Sequence, residues 1–544
     1  MRNKPLKLAL AASAVLALAA CSASPGTGGG DGAAAPSFEI TAKTPAPSGE
    51  LDKLTFSTYA EPFSLDYAYA FDYADNQVLA NVCESLVRLN DDMSISPGLA
   101  EKYENPTPNT WVYTIRQGVK FHDGAELTAD DVVASMNRHL DPAVGSFWYS
   151  VYQNVEKIEK TGANEVTVTS KVPDALFNES MSGAAGVIDS AAMFKKAGAD
   201  YGNAKGGVNC TGPFEFKKWQ NGEKLSFDRF DGYWDADLKA KAKELEFVIM
   251  TDPVARVNAL KSGEIDGGWM LPATAVDDLN ASGAGKIYFG LNTAVQSLVV
   301  SNLEGPLGNP EVRKALLMAI DRDGLVKAAE GGYGTRTNSL TSESVWSHAE
   351  GGTKEAAFKD LVDYPYDVEA AAKIVKEQGM EGKEITLTTA PIGSNFAVIA
   401  QATAAAAESI GLKATINTVT PNAYTALFSD PEARKGTDLF YTSWYLSVGD
   451  PQEMFSILRT DDFSNYGNWS DPAFDKSVAT ALETMDQQER FTKSLEAQKI
   501  TNAQVPWLPL YESPNILWMS NKITGASPSV NFLYYPWAAE IGAK

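Results

Sequence analysis

Residues 51–544 form one long stretch of ordinary mixed composition, and its length is the strongest constraint on the fold. A single hydrophobic core stops growing beyond about 250–300 residues, so this stretch must divide into two or more lobes. Strand and helix signals alternate along it, which predicts an α/β architecture. Trp111-Val112-Tyr113-Thr114-Ile115-Arg116 alternates with period two, and so does Glu165-Val166-Thr167-Val168-Thr169 after a turn at Asn164. Both read as half-buried strands. Residues 51–58 and 505–511 read as strands at either end of the folded region. A helix is expected from Thr128, whose hydroxyl is placed to cap the first turn, with Asp131 at the third position and Val132, Val133 and Met136 as its apolar stripe. A second starts at Asn309-Pro310-Glu311. Its apolar positions Val312, Ala315, Leu316, Ala319 and Ile320 recur at helical spacing, and its end is expected near Gly331-Gly332.

The first residues speak of compartment. Arg2, Lys4 and Lys7 precede an apolar run over residues 8–20 that closes on Leu18-Ala19-Ala20-Cys21. A charged start, an apolar run too short to span a bilayer and a small-residue close make a secretory signal. With cysteine directly after the small pair, it resembles a bacterial lipoprotein signal over residues 1–20, in which Cys21 is diacylated and becomes the first residue. The plainer reading is an ordinary signal peptide with a chance cysteine. Residues 21–50 are rich in Ser, Pro, Gly, Ala and Thr, a composition that predicts a disordered tether. The chain is thus expected to be exported and lipid-anchored to the outer face of the cytoplasmic membrane.

Formal net charge is −23, and loss of the three basic residues in the signal takes it to −26. That argues against nucleic acid as a partner. With Cys21 assigned to lipid, Cys83 and Cys210 remain as a pair in an oxidising compartment. One disulfide is expected, the alternative being two separate buried thiols. Three histidines and no Cys-x-x-Cys leave little from which to build a metal site, so no metal and no cofactor are expected.

No catalytic signature survives inspection. Ser282-Gly283-Ala284-Gly285-Lys286 lacks the earlier glycine of a phosphate loop, because Asn280 stands there, and Ile287 replaces the hydroxyl residue after the lysine. Gly-x-Ser-x-Gly and His-Glu-x-x-His are absent. His122 reads as a turn residue, and His139 and His348 as surface or packing residues. The chain is expected to bind rather than to catalyse.

Residues 99–138, LAEKYENPTPNTWVYTIRQGVKFHDGAELTADDVVASMNR, carry the positive signal. Four stretches follow in order: Thr211-Gly212-Pro213-Phe214, Asn309 to Leu316 with Ala319-Ile320-Asp321-Arg322, Trp444 to Pro451, and Asn465-Tyr466 leading to Asp475. Together they resemble the family 5 solute-binding proteins, the oligopeptide- and dipeptide-binding subunits of ABC importers. The resemblance implies a two-lobed periplasmic-binding-protein-like α/β fold with a hinge and an extra subdomain inserted in lobe one. Lobe one would take residues 51–90, 185–290 and 510–544, the insertion 91–184, and lobe two 291–509. It also implies a monomer that captures oligopeptides or dipeptides between its lobes and delivers them to ABC permease subunits in the membrane.

The family's ligand-contacting positions map onto Phe71-Asp72-Tyr73 and onto Trp444, Tyr445, Leu446, Ser447 and Asp450. Trp148, Tyr149 and Trp269 are further cleft candidates. One position departs from the pattern. Peptide binders of the family commonly read Trp-x-x-Asp-x-x-Asp-Pro, with the first Asp pairing the peptide's amino terminus, and here Ser447 stands in that place. A serine hydroxyl accepts a hydrogen bond from an ammonium but cannot neutralise it. Either another carboxylate serves, with Asp72 ahead of Asp450, or the ligand has no free amine at that point. The competing readings are a non-peptide solute (an oligosaccharide, an opine-like conjugate or a metal chelate), a ligand sensor rather than a transport subunit, and an exported lipoprotein hydrolase.

Overall fold

The computed structural model describes Pro36 and residues 38–544. The expected signal segment 1–20 and Cys21 lie outside the described residues. The described end of the expected tether is not loose. Ile40 bridges to Phe289, the Thr44 amide and hydroxyl both donate to the Ala526 carbonyl at 2.9 Å, and Gly49 pairs with Ala543. The tether expected to run to residue 50 is corrected on this point. A Pro-rich segment still carries backbone donors and acceptors, and here Phe289 and the C-terminal segment supply their partners.

The first strand, Leu51–Thr58, lies near the middle of a seven-stranded sheet. Its order is Gly285–Gly290, Asn515–Ser520, Gly267–Trp269, Leu51–Thr58, Ala242–Ile249, Lys224–Arg229, Phe214–Gln220. Leu54 and Phe56 point into a core with Phe227, Phe247, Trp269 and Trp537. Phe56 pairs in register with Gly267, where a Cβ would fall 2.3 Å from the Phe56 ring. Only glycine lets that ring lie against the neighbouring strand.

A six-stranded sheet follows the order Thr335–Arg336, Trp507–Glu512, Val295–Val300, Leu439–Trp444, Glu384–Thr389, Lys413–Thr418. Val295–Val300 is buried at every position, as an interior strand covered on both faces requires. The four-stranded antiparallel sheet Ala100–Thr107, Thr110–Ile115, Glu165–Ser170, Val155–Gly162 has its own core around Tyr113, Val132, Met136 and Val168. Its segment leaves and rejoins the first sheet's lobe at adjacent points, since Ser85 bridges to Val187. Asp131 caps the helix Ala129–Arg138, its carboxylate accepting from both the amide and the hydroxyl of Thr128.

The chain passes between the two large sheets over residues 291–294 and returns over 513–514. These crossings are tied by Asn292 Nδ2 donating to the Ser513 carbonyl at 2.9 Å. The strand Trp507–Glu512 belongs to the six-stranded sheet, so the return lies a few residues later than the expected boundary at 510. The helix begun by Asn309 also ends early. It covers Pro310–Ala319, and Asp321 then caps a separate helix, Arg322–Glu330, by accepting from the Gly324 amide at 2.9 Å. The apolar spacing through Ile320 concealed that second cap, whose aspartate competes with continued helix for the backbone.

Candidate functional site

Between the two large sheets lies a cavity of about 480 Å³, within the range of about 300–1,000 Å³ common for small-ligand sites. Tyr59, Phe71, Asp72 and Tyr73 contribute from the first lobe, Phe147 and Trp148 from the inserted subdomain, and Trp444, Tyr445, Ser447 and Glu453 from the second lobe. The lobes meet through Tyr445. Its hydroxyl donates to the Phe71 carbonyl at 3.0 Å and accepts from Asn76 Nδ2 at 3.1 Å, and it shares a 2.8 Å hydrogen bond with the Tyr534 hydroxyl. The Tyr73 ring stands edge-on to it at 4.8 Å.

Local sequence explains the first wall. Asp72 sits at the N-cap of the helix Tyr73–Leu79, accepting from the Tyr73 amide at 2.8 Å and from the Tyr59 hydroxyl at 2.8 Å. Burial holds its carboxyl above the usual range, and those two hydrogen bonds pull it back. Phe71 packs on Phe147 at 4.4 Å. Trp148 is fixed by its indole N–H, which donates to the carbonyls of Tyr67 and Ala70 at 3.0 and 3.2 Å. Trp444 rests against Trp507 at 5.4 Å.

Four expected residues lie outside this wall. Leu446 is 2 % exposed and belongs to the second lobe's core. Asp450 is fully buried; it accepts from Arg490 Nε at 2.7 Å and from the Gln452 amide at 2.9 Å. It is thus committed to an internal ion pair and a turn. Tyr149 is 52 % exposed. Trp269 stacks on Phe532 at 4.2 Å inside the first lobe's core, because its strand is an interior one whose side chains have no route to the cleft. The expected pair Cys83 and Cys210 is joined as a disulfide beneath the first sheet's lobe.

Sequence reasoning missed Glu453. The helix Gln452–Ser456 begins directly after Pro451 and carries this carboxylate back toward Ser447. The Ser447 hydroxyl donates to Glu453 Oε1 at 2.6 Å, and the Val448 amide donates to Oε2 at 3.0 Å. Burial pushes Glu453 up to about 7, against those hydrogen bonds. The available signal was an acid two residues past the Asp-Pro pair, in a motif whose usual acid is missing. Glu330 is another carboxyl in the wall, pushed up to about 7 by burial and pulled back by the Tyr511 hydroxyl, which donates to it at 2.8 Å. Burial raises the Tyr445 phenol most, the hydrogen bond with Tyr534 pulls it back, and Tyr73, Asp72 and Glu453 add smaller upward pushes.

These raised carboxyls make the ligand-free protein sensitive to pH. An acid whose folded pKa exceeds its unfolded value stabilises most below the unfolded pKa, and that stability is lost as pH rises through the folded pKa. For Glu453 and Glu330 the loss ends a little above 7. His122 and His139, held neutral by burial down to about 4 and 3, push the other way, but their contribution is complete above about 6.5. Melting temperature is therefore expected to fall between about pH 6.5 and 8.5, and to fall less in a Glu453→Gln/Glu330→Gln variant. An equal slope in both proteins would remove these two groups from the account.

Comparison with known proteins identifies the family and the fold. A family model described as "Bacterial extracellular solute-binding proteins, family 5 Middle" matches residues 94–466, more than half of the chain. The glutathione-binding protein GsiB of Salmonella typhimurium is 28 % identical over 470 residues, covering 85 % of this chain and 89 % of the relative. The Helicobacter pylori periplasmic binding protein DppA, solved with the peptide STSA, superposes with a TM-score of 0.81 at 21 % identity, over 91 % of this chain and 98 % of that one. AgaA from Agrobacterium tumefaciens R10, solved with agropinic acid, gives 0.79 at 24 % identity, over 90 % and 98 %. The chain belongs to the family 5 bacterial extracellular solute-binding proteins, the two-lobed substrate-binding components of ABC importers.

Proposed function

We propose that the cleft captures a short peptide or peptide-like solute by its free ammonium group, with Glu453 as the neutralising carboxylate. The observation that carries this reading is the position of Glu453: a buried carboxylate in the cavity wall, hydrogen-bonded to the serine that replaces the family's aspartate, with no basic side chain among its hydrogen-bond partners in the described residues. A buried carboxylate without a counter-charge is costly, and an incoming ammonium removes that cost. Asp72 faces the same cavity and acts on the same Tyr445 phenol, which makes it the second acid felt by the ammonium. Tyr73, Tyr445 and Trp444 supply apolar faces that tolerate varied side chains. On this reading the chain is exported, anchored through Cys21, and hands its ligand to a membrane permease. The secretory pattern of the first 21 residues and the peptide or glutathione ligands in the relatives' names support it.

One observation favours a second reading. A carboxyl with a pKa about 7 is partly protonated at neutral pH and is then able to donate a hydrogen bond to an uncharged oxygen, as an opine-like or sugar ligand presents.

Thermal unfolding against di- to hexapeptides, the same peptides N-acetylated, glutathione and oligosaccharides separates the two. A ligand at about a hundred times its Kd adds about 2.7 kcal/mol of stability. Free peptides are expected to stabilise and acetylated ones not. Glu453→Gln is expected to weaken binding of the free-amine ligand by about 30-fold, about 2 kcal/mol. Equal binding of free and acetylated peptides, or an unchanged Kd in Glu453→Gln, overturns the ammonium assignment.

A further inference from the structure

We propose that Arg256 is an anion-binding residue of the cleft, placed to receive a carboxylate of the same ligand whose ammonium Glu453 takes; the inference rests on that reading of the site. Arg256 lies on the helix Pro253–Ser262 of the first lobe, is 2 % exposed, and contributes to the cavity wall beside Tyr59, Thr251 and Met270. Both of its hydrogen bonds come from Nη2, to the carbonyls of Trp269, at 2.8 Å, and Met270. Its Nε is buried without an acceptor. Among the described residues Nη1 makes no hydrogen bond and no carboxylate pairs with the guanidinium. Burial lowers its pKa to about 10, and the Tyr59 phenol is the one group that offsets this.

Two other buried arginines of the same protein show what a purely structural guanidinium looks like. Arg313 donates from all three nitrogens, to the carbonyls of Val505, Leu307, Gly308 and Gln504. Arg322 donates from both terminal nitrogens to the carbonyls of Thr337, Pro509 and Tyr364 and to the Asn338 side chain. Neither lines the cavity. Of these three, only Arg256 has a buried nitrogen without an acceptor and only Arg256 lines the cavity, where Arg459 of the second lobe is the other arginine. A guanidinium has five N–H donors in a planar fork that matches a carboxylate. Two carbonyls orient that fork without neutralising it, so a ligand oxyanion is the missing counter-charge.

Glu453 and Arg256 thus define a cavity selective for zwitterions, with opposite charges received on opposite lobes. A ligand that engages both favours the closed arrangement, because each charge is satisfied only when the lobes meet around it.

The carboxylate has two possible sources, the peptide's C-terminus or an acidic side chain, and a set of probes separates them. Isothermal titration of the full protein would use tri- and tetrapeptides and glutathione, each as the free acid, with the C-terminus amidated, and with a side-chain carboxyl converted to its amide. Amidation at one of these positions is expected to weaken wild-type binding about tenfold or more. In Arg256→Met the acid and amide are expected to bind alike, while N-acetylation still abolishes binding. Arg256→Lys, which keeps the charge and loses the fork, is expected to retain part of the discrimination and serves if the Met variant fails to fold. If Arg256 only positions the chain, its replacement weakens acid and amide equally and the preference for the acid survives, which overturns the proposal. A wild-type protein indifferent to every amidation overturns it as well, and leaves the ammonium reading standing. Failure of every free-amine probe to bind removes both.

Discussion

Replacing Arg490 with methionine is expected to cost about 3–5 kcal/mol of stability, the loss found when one partner of a buried ion pair is removed. Arg490 is 1 % exposed and bonds to Asp450 through Nε and to Glu179 through Nη2, both at 2.7 Å, while Nη1 donates to the Thr484 carbonyl at 3.1 Å. Asp450 is fully buried, so without the guanidinium its charge has neither solvent nor a counter-charge, only the Gln452 amide. Glu179 lies in the inserted subdomain, and Arg490 lies on the helix Gln487–Gln504 of the second lobe. The same substitution therefore removes a tie between subdomains. Urea unfolding followed by circular dichroism measures the loss. Neutralising both acids in the same background, with Asp450→Asn and Glu179→Gln, is expected to restore part of it, because most of the cost is the uncompensated charge. A loss below about 1 kcal/mol would mean that water reaches Asp450.

Removal of the disulfide by Cys83→Ala/Cys210→Ala is expected to cost about 5 kcal/mol. The bond closes a loop with a sequence separation of 127 residues, and the chain-entropy estimate for a loop of that size is about 5 kcal/mol. Both residues are buried, at 2 % and 0 % exposure, so lost packing adds to the entropy. The loop contains the whole inserted subdomain, which rejoins the lobe beside its point of departure. Reducing the bond frees those two ends in the unfolded chain. Unfolding in urea with and without reductant, with the alanine variant as reference, measures the effect. A change under about 1 kcal/mol would show that the unfolded chain remains constrained without the bond.

Much of the architecture was legible because it depends on neighbours within a few residues. Period-two alternation placed the strands Thr110–Ile115 and Glu165–Ser170, and Asn309 with Pro310 marked a helix start that the structure keeps. The ordered motifs from Leu99 to Asp475 pointed to the family, and the length of the folded region called for more than one lobe. The same local rules misread the helix beyond Ile320, where a second aspartate cap outweighed continued apolar spacing. They also left Trp269 in the cleft, since composition does not distinguish an interior strand from an exposed one.

What the sequence by itself determined was the kind of protein: a two-lobed α/β binder with the family's aromatic segments at Phe71–Tyr73 and Trp444–Tyr445. What only the tertiary structure decided was which charges meet. Asp450 was drawn inward by Arg490, forty residues away. Glu453 was carried by a short helix to the hydroxyl of Ser447, and Arg256, on the other lobe, was left without a counter-charge among the described residues. Strands and helices form from contacts a few residues apart. The cavity is assembled from residues between 59 and 516, which two chain crossings bring face to face, so the balance of charge within it has no local signature.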